Sequence, residues 1–142
     1  MRDGLTADQR ETLRELHTDT VMLRVRAMRF VDEGGRACWV GRCQRCGRIE
    51  PLETAHVEPK GRAPHLRWLS DNALALCHTC HEWGHANPTP FQRWTEVLLG
   101  PARELLARLA HDPTARAGDY VDLKLVLTAE RIRLMERNRK EA

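Results

Sequence analysis

At 142 residues, with 23 Lys and Arg against 20 Asp and Glu and a net charge of +3, the chain has the length of one domain with helical arms rather than several domains. The charge excess is too small to establish nucleic-acid binding by itself, and no apolar run is long enough to span a membrane. Five cysteines, with no apolar leader after Met1-Arg2-Asp3-Gly4, lead to the expectation of a reducing, cytoplasmic setting.

Thr6 and Gln9 have the spacing of a capping box. Leu13, Leu16, Val21, Leu23, Val25 and Met28 then follow a roughly helical apolar pattern. Thr18-Asp19-Thr20 predicts a kink or a second cap, and Gly34-Gly35 the end of an N-terminal helical arm over residues 1–35. The mixture of charged and apolar positions predicts that this arm packs on the core or on a second subunit. Arg36 to Val40 reads as a strand or extended lead-in, with Cys38 as a small buried strand residue. Cys43-Gln44-Arg45-Cys46 follows, with Gly47 where a tight knuckle requires positive φ. Ile49 to Val57 predicts a strand with His56 near its end, and Pro59, Gly61 and Pro64 mark a loop. Leu66, Trp68 and Leu69 predict a short extended piece, and Ser70-Asp71-Asn72 a turn. Leu74 and Leu76 lead into Cys77-His78-Thr79-Cys80-His81. A helix beginning there carries His81, Trp83 and His85 until Asn87-Pro88 stops it. Further helices are predicted from Thr89 or Pro90 to Gly100-Pro101, from Ala102 to Ala110, and from Tyr120 to Arg139 with a re-cap at Thr128. The expected division is a core over residues 36–100 and a C-terminal helical arm over 101–142.

Two Cys-x-x-Cys pairs have the spacing of a tetrahedral zinc site, with Cys43, Cys46, Cys77 and Cys80 as ligands. Four thiolates leave no open coordination position, so the zinc is structural, and any chemistry falls to the residues around it. His56 at a strand end is a candidate general base, since imidazole titrates near neutral pH. Asn72 could hold the other ring nitrogen or the loop that positions it. His81 is a candidate ligand for a second, catalytic divalent ion, and His85 lies on the same helix face four residues on. Glu58 and Asp71 are weaker candidate ligands, explained as well by loop and turn solvation. Basic residues crowd around the site, and Arg45, Arg48, Lys60, Arg62 and Arg67 are the candidate phosphate contacts. Trp68, Trp83 and Trp94 could stack on unpaired bases, but packing is the expected job.

Cys43-x-x-Cys46, Ala55-His56-Val57, Asp71-Asn72 and Cys77-x-x-Cys80-His81, in that order, resemble the HNH endonucleases. The resemblance implies an α+β chain: a small zinc-stapled ββα-metal core flanked by N- and C-terminal helices. It also implies roles: His56 as general base, Asn72 as its orienting residue, and His81 as ligand of a catalytic Mg²⁺ or other divalent ion. Leu66-Arg67-Trp68, Asn87-Pro88, Trp94 and Leu99-Gly100 extend the likeness to the phage recombination endonucleases called NinG or Rap. That likeness covers roughly the middle half of the chain. It implies metal-dependent hydrolysis of branched DNA such as a Holliday junction, in the cytoplasm of a bacterial host. Separately, the apolar positions of the N-terminal arm and of Tyr120 to Leu134 exceed what the small core can cover, so they are expected to pack on each other or on a second copy in a homodimer. One departure stands out. Many HNH sites place an acidic or second His ligand directly before the base, and here that residue is Ala55. Ala55 keeps open the alternative of a non-catalytic zinc-knuckle module that binds DNA or a protein.

Overall fold

Thr6 opens the first helix with a complete capping box, its hydroxyl accepting from the Gln9 amide and the Gln9 side chain accepting from the Thr6 amide. In the computed structural model, which describes residues 3–142 and so leaves Met1 and Arg2 of the expected arm outside the described residues, this helix (α1) runs unbroken over Ala7–Arg24. The expected kink at Thr18-Asp19-Thr20 does not form. The buried Thr20 hydroxyl donates to the Leu16 carbonyl at 2.7 Å, so it is satisfied inside the helix and does not cap a new one.

The arm ends earlier than its apolar pattern suggests. Arg26 takes a left-handed φ of 57° and turns the chain. Met28–Val31 then forms β1, a strand rather than a helical tail. Gly34-Gly35 belongs to the hairpin joining β1 to β2 (Ala37–Arg42), with Gly35 at φ 79°. The sheet therefore begins inside the expected N-terminal arm. Among the described residues it has four antiparallel strands in the order β1-β2-β3-β4, with β3 over Ile49–His56 and β4 over Ala73–Cys77.

The β3–β4 register positions the rest. Leu52 faces Cys77, Glu53 faces Leu76, and His56 faces Ala73. A one-residue slip would send every side chain to the opposite face. In this register His56 lies beside the end of the Asn72 turn, and Glu53 lies beside the start of the helix that follows β4. The segment between β3 and β4 is not extended at Leu66 to Leu69. It makes two 3₁₀ turns, Pro64–Leu66 and Ser70–Asn72, which bury Leu66, Trp68 and Asn72. Pro64 at the first position of its turn presets φ for that conformation.

Four helices follow: α2 (His78–Ala86), α3 (Pro88–Leu99), α4 (Pro101–His111) and α5 (Tyr120–Lys140), the last continuous through Thr128. α2 and α3 approach closely at Gly84, where an added Cβ would stand 2.7 Å from a Phe91 ring carbon. The main core gathers Met22, Leu52, Leu74, Leu76, Phe91 and Leu106. A second cluster of Leu13, Leu16, Trp68 and Leu127 joins α1 to α5. Between them lies a buried charge pair, Glu58 with Arg103 at 2.8 Å. Arg62 adds a 2.7 Å contact to the same carboxylate, and the Arg103 Nε donates to Thr95 at 3.1 Å. The pair ties the loop that follows His56 to α3 and α4.

Removing one partner of a buried pair leaves an uncompensated charge, at a cost of about 3–5 kcal/mol. Arg103→Ala is therefore expected to lower the urea midpoint sharply without changing the slope. Burial alone would raise the Glu58 carboxyl, but hydrogen bonding to Arg62 and Arg103 outweighs it and holds the group below its ordinary value. The pair's contribution is thus present above the ordinary carboxylate pKa and is lost as pH falls through the lowered folded value. An Arg103→Ala midpoint equal to that of the parent would contradict this role.

Candidate metal centres and the cleft between β3 and α2

Cys43 and Cys46 sit on the knuckle after β2, where Gly47 supplies the positive φ of 75° that closes the turn. Cys77 ends β4 and Cys80 lies in the first turn of α2. The four Sγ atoms lie within 4.8 Å of one another, none of them in a disulfide. The Cys46 and Cys77 sulfurs are 3.8 Å apart. That matches the edge of a thiolate tetrahedron with metal–sulfur distances of about 2.3 Å. The four thiols are positioned to bind a metal such as zinc. Burial drives the Cys77 thiol up to about 12. At Cys43 burial also opposes ionisation, but backbone amides outweigh it and lower the thiol to about 7. Thiolate ligands bind metal in the deprotonated form, so a bound dication would displace the Cys77 proton that burial holds.

The knuckles are built into the fold. Gln44 exchanges two hydrogen bonds with Ala75 of β4, its amide donating at 3.0 Å and its side-chain oxygen accepting at 2.8 Å. Arg45, expected on phosphate, has other partners. Its guanidinium lies 3.5 Å from the centroid of the Trp83 ring and donates to the Cys80 sulfur at 3.4 Å. Arg48 pairs with Glu50 at 3.4 Å, and Arg62 with Glu58. Of the five expected phosphate contacts, Lys60 and Arg67 stand nearest the histidines.

His56 ends β3. Its Nε2 lies 3.1 Å from the Arg67 carbonyl oxygen. A carbonyl only accepts, so Nε2 carries the proton and Nδ1 keeps its lone pair. Burial lowers the His56 pKa, and the nearby positive charge of Lys60 and Arg67 lowers it further, against the raising effect of the Arg67 carbonyl. The ring is therefore a neutral base at physiological pH. Asn72 does not touch that ring. Fully buried, it accepts from the Glu58 amide at 2.7 Å and donates to the carbonyls of Glu58 at 3.0 Å and Leu66 at 3.3 Å. It clamps both ends of the loop after His56. Glu58, bound by Arg62, Arg103 and this clamp, is not free to ligate a metal, and Asp71 lies exposed near Arg24.

His81 on α2 presents Nδ1 to Glu53 Oε1 at 2.7 Å. A carboxylate accepts, so Nδ1 is protonated and the lone pair sits on Nε2. That Nε2 stands 3.2 Å from the Nε2 of His85. Two imidazoles on one ion at about 2.1 Å would have this separation with an angle of about 100° between them. It is also the separation of a hydrogen bond between the two rings. Glu53, which also meets His78 at 2.9 Å, is the residue sequence reasoning missed. Its signal was strand alternation: Glu53 shares a face of β3 with Ala55, the position where an acidic ligand is absent. The carboxylate lies one strand step away and backs a histidine ligand.

A cleft of about 440 Å³ opens between β3 and α2, lined by His56, Lys60, His81, His85 and Phe91 among others. His56 and Lys60 also border a second hollow of about 510 Å³ against α1 and β2, with Arg14, Trp39 and Arg67 on its walls. The structure thus brings together His56, His81 and His85, places Asn72 beneath them, and sets the four thiols apart as a separate centre. No protein-family model, no curated protein and no solved structure matches this chain.

Cys77→Ser removes a ligand that ends β4 and begins α2. Metal analysis is expected to fall from one ion per chain to a small fraction, with a clear drop in the melting temperature, because binding free energy at such sites is folding free energy. Full metal content with unchanged melting would contradict the four-thiolate centre.

Proposed function

We propose that the protein is a metal-dependent endonuclease of the HNH type that hydrolyses DNA phosphodiester bonds. The observation that carries this reading is the shared cleft: a neutral His56 with a free Nδ1 and the His81–His85 nitrogen pair, backed by Glu53. His56 accepts a proton from water as the oxygen attacks phosphorus in line, and the Arg67 carbonyl steadies the imidazolium that forms. His81 and His85 would hold the catalytic ion, which supplies charge stabilisation to the phosphate and the leaving 3′ oxygen. Two imidazoles suit Mn²⁺, Co²⁺, Ni²⁺ or Zn²⁺ better than Mg²⁺, which prefers oxygen ligands. Glu53 fixes the His81 ring so that Nε2 faces that ion. Lys60 borders the cleft and, with Arg67, the adjoining hollow, where a phosphate backbone would lie. Zinc on the four cysteines is structural and takes no part in the chemistry.

Branched DNA, as in phage recombination, is the substrate that the likeness to NinG or Rap endonucleases implies. A symmetric junction would suit a two-fold protein. α5 leaves Val121, Leu125, Ile132 and Met135 exposed at helical spacing on its outer side, a surface that a second copy could cover. The second reading, a non-catalytic zinc-knuckle module, is favoured by Ala55. Glu53 weighs against it, because a decayed site has no need of a carboxylate held 2.7 Å from a metal-facing histidine.

Cleavage of linear, nicked, forked and four-way DNA with each of these ions tests the proposal. Wild-type protein is expected to cut, with branched substrates preferred. His56→Ala should lose about 10²–10⁴-fold in rate, the usual worth of a positioned base, while keeping its zinc and its melting temperature. His81→Ala should lose cleavage but regain part of it at high Mn²⁺. DNA binding without cleavage under every ion would remove the enzyme and leave the binding module.

A further inference from the structure

His17 borders the hollow beside His56 and has had no part in the chemistry so far. It lies on α1, outside the strands and helix that carry His56, His81 and His85. It is 3 % exposed, and its Nε2 has no hydrogen-bond partner. Its ring stacks on His56, with centroids 5.6 Å apart and planes within 7°. Trp68 meets it edge-on from another side, at 6.0 Å and 82°. These separations are those of offset-stacked and T-shaped ring pairs. Burial, and then the proximity of His56, lowers the His17 pKa to about 4, so the ring is uncharged at working pH.

We propose that His17 is a positioning residue for His56, a buried ring that holds the imidazole flat against the Arg67 carbonyl with Nδ1 left unprotonated. This rests on the reading of His56 as the general base. A half-turn of the His56 ring about Cβ–Cγ would break the 3.1 Å bond to Arg67 and put a carbon where Nδ1 stands. That rotation passes through an upright ring, which would turn its edge toward the facing His17 ring. Trp68, 6 % exposed and packed in the α1–α5 cluster, keeps His17 in place. Because His17 is uncharged, it offers no like charge to oppose the imidazolium that catalysis forms on His56. The stack thus makes α1 part of the working site rather than an external arm.

The test compares His17→Ala with His17→Phe. Phe keeps a flat ring and loses nothing at Nε2, which has no partner, but gives up the imidazole's hydrogen bond to the Leu69 backbone. Ring ¹⁵N spectra of His56 should show a single Nε2-protonated tautomer in the parent and in His17→Phe, and a mixture in His17→Ala. In single-turnover cleavage at saturating DNA, His17→Ala should be slower by about tenfold to a hundredfold, the scale of a misplaced catalytic group, with half-saturation unchanged. His17→Phe should restore most of the rate. Should His17→Ala fail to fold, His17→Leu supplies similar bulk without a ring. Unaltered His56 spectra in the ringless variant would overturn the proposal, as would a His17→Phe that melts like the parent yet is as slow as His17→Ala. Absence of cleavage by the parent would remove the catalytic role of His56, but the ring spectra would still decide whether His17 holds it.

Discussion

Four sulfurs within 4.8 Å of one another join the end of β2, the end of β4 and the first turn of α2. Everything at the cleft depends on that joint. Cys77 is the last residue of β4 and the N-cap of α2, so the direction in which the helix leaves the strand is set where the cluster closes. His81 and His85 lie one and two turns further on, and their approach to Glu53 follows from that direction. Gln44 bridges to Ala75, and Arg45 is sandwiched between Trp83 and the Cys80 sulfur; both fasten the knuckle to the same strand and helix. A metal on the thiols acts on the cleft only through this scaffold.

The cleft itself divides its charges. On the β3 side, burial and the neighbouring cations Lys60 and Arg67 lower the His56 pKa and favour the neutral ring. On the α2 side, the Glu53 carboxylate holds Nδ1 of His81 and leaves its Nε2 turned toward His85. The loop between the two sides is over-determined: Asn72 bonds it at three points and Glu58 anchors it to Arg62 and Arg103. Such bracing places the His56 main chain, while the ring is held separately by Arg67 and the stacked His17.

The features legible in the sequence were those whose signal is local. The knuckle spacing, the Thr6–Gln9 cap, the strand ending at His56 and the helix stopped at Asn87-Pro88 each depend on a few neighbouring residues. The β1–β2 hairpin was hidden because β1 is only four residues long and its first, Met28, also continues the helical apolar pattern of α1. The two 3₁₀ turns replaced an expected extended piece because Leu66 and Trp68 are buried at alternate positions, as in a strand, while the backbone there closes tight turns on itself. Glu53 was missed because its partners come from α2 across the β3–β4 register, and His17 because it meets His56 only after α1 folds back on the sheet. Arg45 illustrates the opposite error: a basic residue beside a knuckle reads as a phosphate contact until its stacking on Trp83 is seen.

The proposed chemistry requires a metal position between His81 and His85, separate from the thiolate cluster. Stepwise addition of Mn²⁺ to the zinc-loaded protein, followed by ring and backbone NMR signals, tests this most directly. Paramagnetic broadening is expected first at His81 and His85, then at Glu53 and His56, with Gln44 and Arg45 at the knuckle broadened last and the zinc content constant. Broadening that begins at the knuckle with release of zinc, or that favours no residue of the cleft, would contradict a second metal position and the chemistry built on it.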